Sequence, residues 1–135
     1  MLRTKLSSEQ VLSINRSLCE KSYYHFLREA WPIIDPSVDF SPNWHIQAIC
    51  EHLEAVSRGE ILRLVINVPP RHCKSITSNV GFLPWLWTHQ PGTKLMTITC
   101  EHTLASRDAV ASRRVVMSDW YKSMWPSVQL FEDAN

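Results

Sequence analysis

Apolar positions along the chain fall first into helical spacing and then into strand-like runs. From Leu18 to about Ile33, the residues Leu18, Tyr23, Phe26, Leu27, Ala30 and Trp31 recur at helical intervals, and Pro32 with Asp35-Pro36 is placed to end that helix. A shorter helix precedes it, from a cap at Ser7, with Gln10 three residues later, to about Asn15. Ser41-Pro42 reads as a further start, Ser41 as cap and Pro42 in the first helical position. Trp44, Ala48, Ile49, Leu53 and Val56 carry that helix to about Ser57, and Gly59 is positioned to terminate it.

The pattern then changes. Residues 62–68 form a run rich in β-branched and apolar side chains, dense enough to predict a strand buried on both faces. Lys94-Leu95-Met96-Thr97-Ile98-Thr99 predicts a second strand, reached through a helix over 74–89 and a turn at Gln90-Pro91-Gly92. Pro84 inside that helix should kink or split it. Strand, helix, strand predicts a parallel, right-handed βαβ unit and an α/β fold. Thr103 to about Ser118 predicts another helix, Asp119 to Met124 a short helical piece stopped by Pro126, and Val128 to Phe131 the start of a further strand. Residues 1–6 are expected to be loose. So small a sheet would leave an open edge, through which self-association is expected.

Composition narrows the class. A hydrophobic content of 44% with 20% charged residues describes a globular chain, and 135 residues suffice for one domain with a real core. A net charge of +1 supplies no field for binding nucleic acid through the whole surface. The cysteines Cys19, Cys50, Cys73 and Cys100 lie far apart without a C-x-x-C pair, as expected of reduced thiols in the cytoplasm. No apolar run approaches the ~20 residues of a membrane span, so no membrane partner is expected. Six tryptophans are many for this length and are expected to pack a core or to face a partner segment.

The chemistry concentrates at the end of the first predicted strand, in Val68-Pro69-Pro70-Arg71-His72-Cys73-Lys74-Ser75. A Lys-Ser pair opening a helix after a strand is the setting of a phosphate-binding loop, usually G-x-x-x-x-G-K-[ST]. Both glycine positions are substituted here, by Val68 and Cys73. Backbone N–H groups at the start of such a helix point at an anion, and the helix dipole favours negative charge there. Lys74 would reach the β- and γ-phosphates, and the Ser75 hydroxyl would ligate Mg²⁺. The plain alternative is a solvated Lys-Ser pair at an ordinary helix start.

These residues resemble the ATPase motif of large terminase subunits of tailed phages, in the branch reading PPRHGKS. The resemblance extends upstream to Phe40-Ser41-Pro42-Asn43-Trp44-His45 and downstream through Leu104-Ala105-Ser106 and Arg113 to Tyr121, roughly residues 25 to 126. It departs from that branch at Cys73, where the branch has glycine. The resemblance implies a partial P-loop NTPase domain over 61–135, preceded by a helical lead over 1–60. It implies ATP and Mg²⁺ as ligands, held by Pro70, Arg71, His72, Cys73, Lys74, Ser75 and Ile76, both weakened by Cys73. By the same resemblance Arg71 would stabilise charge on the γ-phosphate, and Trp44 and Gln47 would hold adenine; read from the residue alone, Trp44 is equally a core side chain. Phage DNA, the portal and the small terminase subunit are the implied partners, in the cytoplasm of a bacterial host. The acidic strand end that such motors use to hold Mg²⁺ has no good counterpart, Glu132-Asp133 being reversed in order and without a long preceding strand. A non-hydrolysing fragment of a longer protein is therefore expected, and a non-catalytic interaction protein retaining a degenerate loop is the rival.

Other candidates are weaker. His45, His52 and Cys50 share a helix, but their spacing is not that of zinc ligands. Cys73 beside His72 suggests a thiol nucleophile whose pKa the helix start and Lys74 would lower, though no carboxylate is there to orient it. Arg113 and Arg114 read as a solvated helix face.

Overall fold

The structure, a computed structural model, describes residues 7–130. Its ordered elements are helices: α1 (Ser8–Lys21), α2 (Tyr23–Ile34), α3 (Trp44–Ser57), a π-helical run (Ile76–Gly81) continuing into α4 (Phe82–Trp87), α5 (His102–Met117) and α6 (Asp119–Met124). Their ends follow local chemistry. Ser7 and Gln10 form the expected capping box, each side chain accepting from the other's backbone N–H. Ser22 separates α1 from α2 where the sequence pattern runs on, its hydroxyl accepting from the His25 N–H as a new cap. Gly59, at φ 74°, closes α3, with Gly59 N–H donating to Val56 and Glu60 N–H to Ala55, the paired bonds of a Schellman motif. The start of α3 differs from expectation: Asn43, not Ser41, is its cap residue, and its side chain makes no capping bond.

Helix α2 is the hub. Tyr23, Phe26, Leu27, Ala30, Trp31 and Ile34 are buried along it, and α1, α3, α4, α5 and the π-helical run pack around it. One core joins the helical lead to the later half of the chain. Much of it is aromatic: Tyr23 lies 5.1 Å from Trp85 between ring centroids, Phe26 5.8 Å from Trp125, and Tyr121 4.9 Å from Trp125. Trp31, Trp85 and Trp125 are buried, Trp87 and Trp120 half-buried, and Trp44 alone of the tryptophans stands out in solvent.

The expected α/β fold is not formed. Among the described residues there is no strand, and 62–68 and 94–99 pair neither with each other nor with anything else. A strand is stable only as a member of a ladder, and neither segment has a neighbour to supply the second row of hydrogen bonds. From Leu64 onward the period of two survives without the sheet: Leu64, Ile66 and Val68 lean on the core and Val65 is 83% exposed, while Leu62, in register with Leu64, is 90% exposed, so the segment is not buried on both faces. In the second segment Met96 and Ile98 are each 83% exposed. With no sheet there is no sheet edge; the segments present unpaired backbone and bare apolar side chains instead. The predicted strand start at 128–131 is likewise without strand geometry up to Leu130, and Phe131, Glu132-Asp133 and residues 1–6 lie outside the described residues.

The helix after the loop is not cut at Pro84, which lies inside α4; the irregularity sits further back. Helical geometry begins at Lys74, widens to π over Ile76–Gly81, and returns to α at Phe82. Two causes act together. The Tyr23 hydroxyl donates to the Thr77 carbonyl, taking an acceptor that the ladder would use, and Pro84 has no N–H to offer the carbonyl four residues before it. The Tyr121 hydroxyl donates to the Pro84 carbonyl at 2.7 Å on the next turn.

Candidate phosphate-binding loop

The loop begins where 62–68 ends. Pro69 is in no regular element and Pro70 opens a turn, its ring fixing φ there. Then come two residues in the left-handed region, Arg71 at φ 67° and Cys73 at φ 58°. They are the only non-glycine residues with positive φ among the described residues. The Thr77 N–H and hydroxyl both donate to the Cys73 carbonyl at 2.9 Å, and the Ser78 hydroxyl donates to the Lys74 carbonyl at 2.8 Å. These bonds fix the helix start under the loop. His72 Nδ1 lies 2.9 Å from the Pro70 carbonyl, folding its ring back over the turn.

A cavity of about 560 Å³ opens against this loop. Pro70, Arg71, His72, Cys73, Lys74, Ser75 and Ile76 all line it, so every loop residue singled out in the sequence reaches one space. Arg71 and Lys74 are exposed and form no salt bridge among the described residues, and the Ser75 hydroxyl has no hydrogen-bond partner there. The end of α2 and the turn after it line the same cavity through Trp31, Asp35 and Val38. The sequence offered no sign of this. Asp35 reads as a helix stop, and only the packing of α2 on the helix after the loop brings it there.

Trp44 and Gln47 lie elsewhere. Trp44, 81% exposed, lines a separate cavity of about 250 Å³ with His45, His52 and residues 64–68, so it is no core side chain. Gln47 is exposed and donates to Glu51 at 2.9 Å along the outer face of α3. Val68 touches both the loop cavity and the Trp44 cavity, and the rings of His45 and His72 stand 5.5 Å apart at the same junction. On its other side the loop cavity adjoins one of about 810 Å³ between α2 and α5, with Asp35 and Ile76 common to the two. Arg107 is tied there to Asp108 at 2.7 Å, and Asp108, buried, also accepts from Asn79 at 3.1 Å.

The Cys73 thiol is not activated. Burial pushes its pKa up, and the nearby Asp35 carboxylate pushes it further the same way. This is the reverse of the lowering expected from the helix start and Lys74. Cys73 therefore matters through its backbone. Cys50 lies in the core, its thiol pushed up by burial, turned away from the surface on which His52 sits.

Comparison with family models, with curated proteins and with solved structures returns no match to this chain, so its functional reading rests on residues and geometry.

Proposed function

We propose that the loop 69–75 binds the phosphates of ATP, and that the chain is the N-terminal nucleotide-binding part of a tailed-phage terminase large subunit. The observation that carries this reading is the pair of left-handed residues, Arg71 and Cys73, directly before Lys74-Ser75. A left-handed residue set among right-handed ones turns neighbouring N–H groups into one concavity, which suits an anion. Side chains resist that conformation, and non-glycine residues held in it cluster at ligand sites. In this reading Lys74 contacts the β- and γ-phosphates, Arg71 offsets charge on the γ-phosphate, and Ser75 gives its hydroxyl to Mg²⁺. The reading stands on the loop and needs no sheet. Phage DNA, the portal and the small terminase subunit are the partners that the motif resemblance brings with it, in a bacterial cytoplasm. Among the described residues, no helix is long and apolar enough to cross a membrane.

A second reading has its own support. Leu62, Val65, Met96 and Ile98 stand bare beside unpaired backbone, and Cys73 occupies a glycine position. A non-catalytic protein that uses these segments for association, and keeps the loop as scaffold, accounts for both. Calorimetric titration with Mg-ATP separates the two readings: saturable heat lost in Lys74→Ala supports the nucleotide site, and its absence from the unaltered chain supports the scaffold.

A further inference from the structure

Among the described residues, the loop cavity is lined by two cations without a salt bridge, Arg71 and Lys74, and by a single carboxylate, Asp35. Asp35 ends α2, with φ −137° and ψ 86°, and Pro36 follows it. Its Oδ1 accepts from the Ser37 N–H at 3.2 Å and from the Ser37 hydroxyl at 2.6 Å. These bonds lock the side chain, while Oδ2 accepts no hydrogen bond among the described residues and Asp35 forms no salt bridge there. An acid in the same cavity as Arg71 and Lys74 would weaken phosphate binding if no cation came with the phosphates.

We infer that Asp35 is a metal-holding residue of this site, sharing with the Ser75 hydroxyl a divalent cation that arrives with the nucleotide's phosphates. The donor chemistry fits. Mg²⁺ is typically bound by one or two carboxylates together with substrate phosphates, and it keeps several waters. A half-buried carboxylate with one free oxygen and an unengaged hydroxyl, lining the same cavity, make up such a set. No dedicated cage of protein ligands is required for such a cation. The assignment rests on the phosphate-loop reading and adds to it an acid that comes from upstream of the loop.

The sign of one substitution decides the matter. Asp35→Asn keeps Oδ1 for Ser37 and removes only the charge and the free anionic oxygen. Without metal, in EDTA, the variant should bind ATP at least as tightly as the unaltered chain, because a repulsive charge is gone. With Mg²⁺ it should bind about tenfold or more weakly than the unaltered chain, on the scale seen when metal sites lose support. Electron paramagnetic resonance of Mn²⁺ with ATP gives a readout independent of turnover, and the protein-bound signal should fall in Asp35→Asn. Equal or tighter Mg-ATP binding by Asp35→Asn, at unchanged circular dichroism, would overturn the inference while leaving the phosphate loop standing. Failure of the unaltered chain to bind ATP in either medium would overturn the phosphate loop and the inference together.

Discussion

The Tyr23 hydroxyl donates a hydrogen bond to the carbonyl of Thr77, joining the first residue of α2 to the helix that leaves the loop. Both residues are fully buried. The contact is close because Gly81, one turn further on, has no side chain: a Cβ there would sit 2.7 Å from the Tyr23 oxygen and 3.0 Å from Leu27 Cδ1. The helical lead thus fixes the position of Lys74 and Ser75 through the backbone just beyond them.

Gly81→Ala should therefore destabilise the fold by about 1–3 kcal/mol through overpacking. Tyr23→Phe should lose about 1–3 kcal/mol by leaving the Thr77 carbonyl buried without its partner. Urea denaturation curves give both values. Full stability in either variant would mean that the clamp does not hold the loop's helix.

The left-handed Cys73 makes a separable prediction. Strain of this kind costs roughly 1–3 kcal/mol, so Cys73→Gly should raise stability by up to that amount and tighten ATP binding by about one to two orders of magnitude. Cys73→Ala keeps the Cβ and should do neither. Equal rescue by alanine, in paired denaturation and titration measurements, would trace the effect to sulfur and not to backbone.

Much of the helical framework is legible in the sequence because its signals are local. The capping box at Ser7 and Gln10, the stop at Gly59 and the short helix before Pro126 depend on residues within a few positions of one another. The predicted strands failed for the opposite reason. Residues 62–68 carry strand-like spacing, yet a strand's hydrogen bonds belong to a neighbour that this chain does not place beside it. The residues singled out around the loop, neighbours in sequence, do line one cavity. That Asp35 lines the same cavity was not legible, since it comes there through the packing of α2, and nothing near Asp35 in sequence encodes that. The break at Ser22 was missed because apolar spacing continues across it, while the cap depends on one hydroxyl.

Stability should fall on mild acidification. Burial lowers the pKa of His25, with the Arg28 charge acting the same way, and partial desolvation lowers that of His89, an exposed residue whose ring packs on Trp85 at 4.7 Å. Each histidine is then protonated more readily in the unfolded chain, so its contribution is present above the ordinary value near 6.5 and is lost as pH falls through the folded value. Melting temperature should decline from pH 7 towards pH 5, and the decline should flatten in His25→Gln/His89→Gln. An unchanged slope in the double variant would place the sensitivity elsewhere.

Thiol reactivity should rank by environment. Cys100 is exposed, whereas burial pushes Cys73 up and Cys19 up to about 12. At neutral pH an alkylating reagent should modify Cys100 first, Cys73 more slowly, and Cys19 only on unfolding. Mass-spectrometric time courses read this order directly, and Cys73 reacting first would revive its role as a nucleophile.

The central claim is that Arg71, Cys73, Lys74 and Ser75 form a working phosphate site, and its most direct measurement is calorimetric titration of the chain with Mg-ATP beside Lys74→Ala. Lys74 is exposed and bears no structural hydrogen bond through its side chain, so its removal should leave the fold intact. Saturable binding by the unaltered chain and its loss in Lys74→Ala, with identical circular dichroism, is the expected result. Equal heats from the two proteins, or none from either, would contradict it.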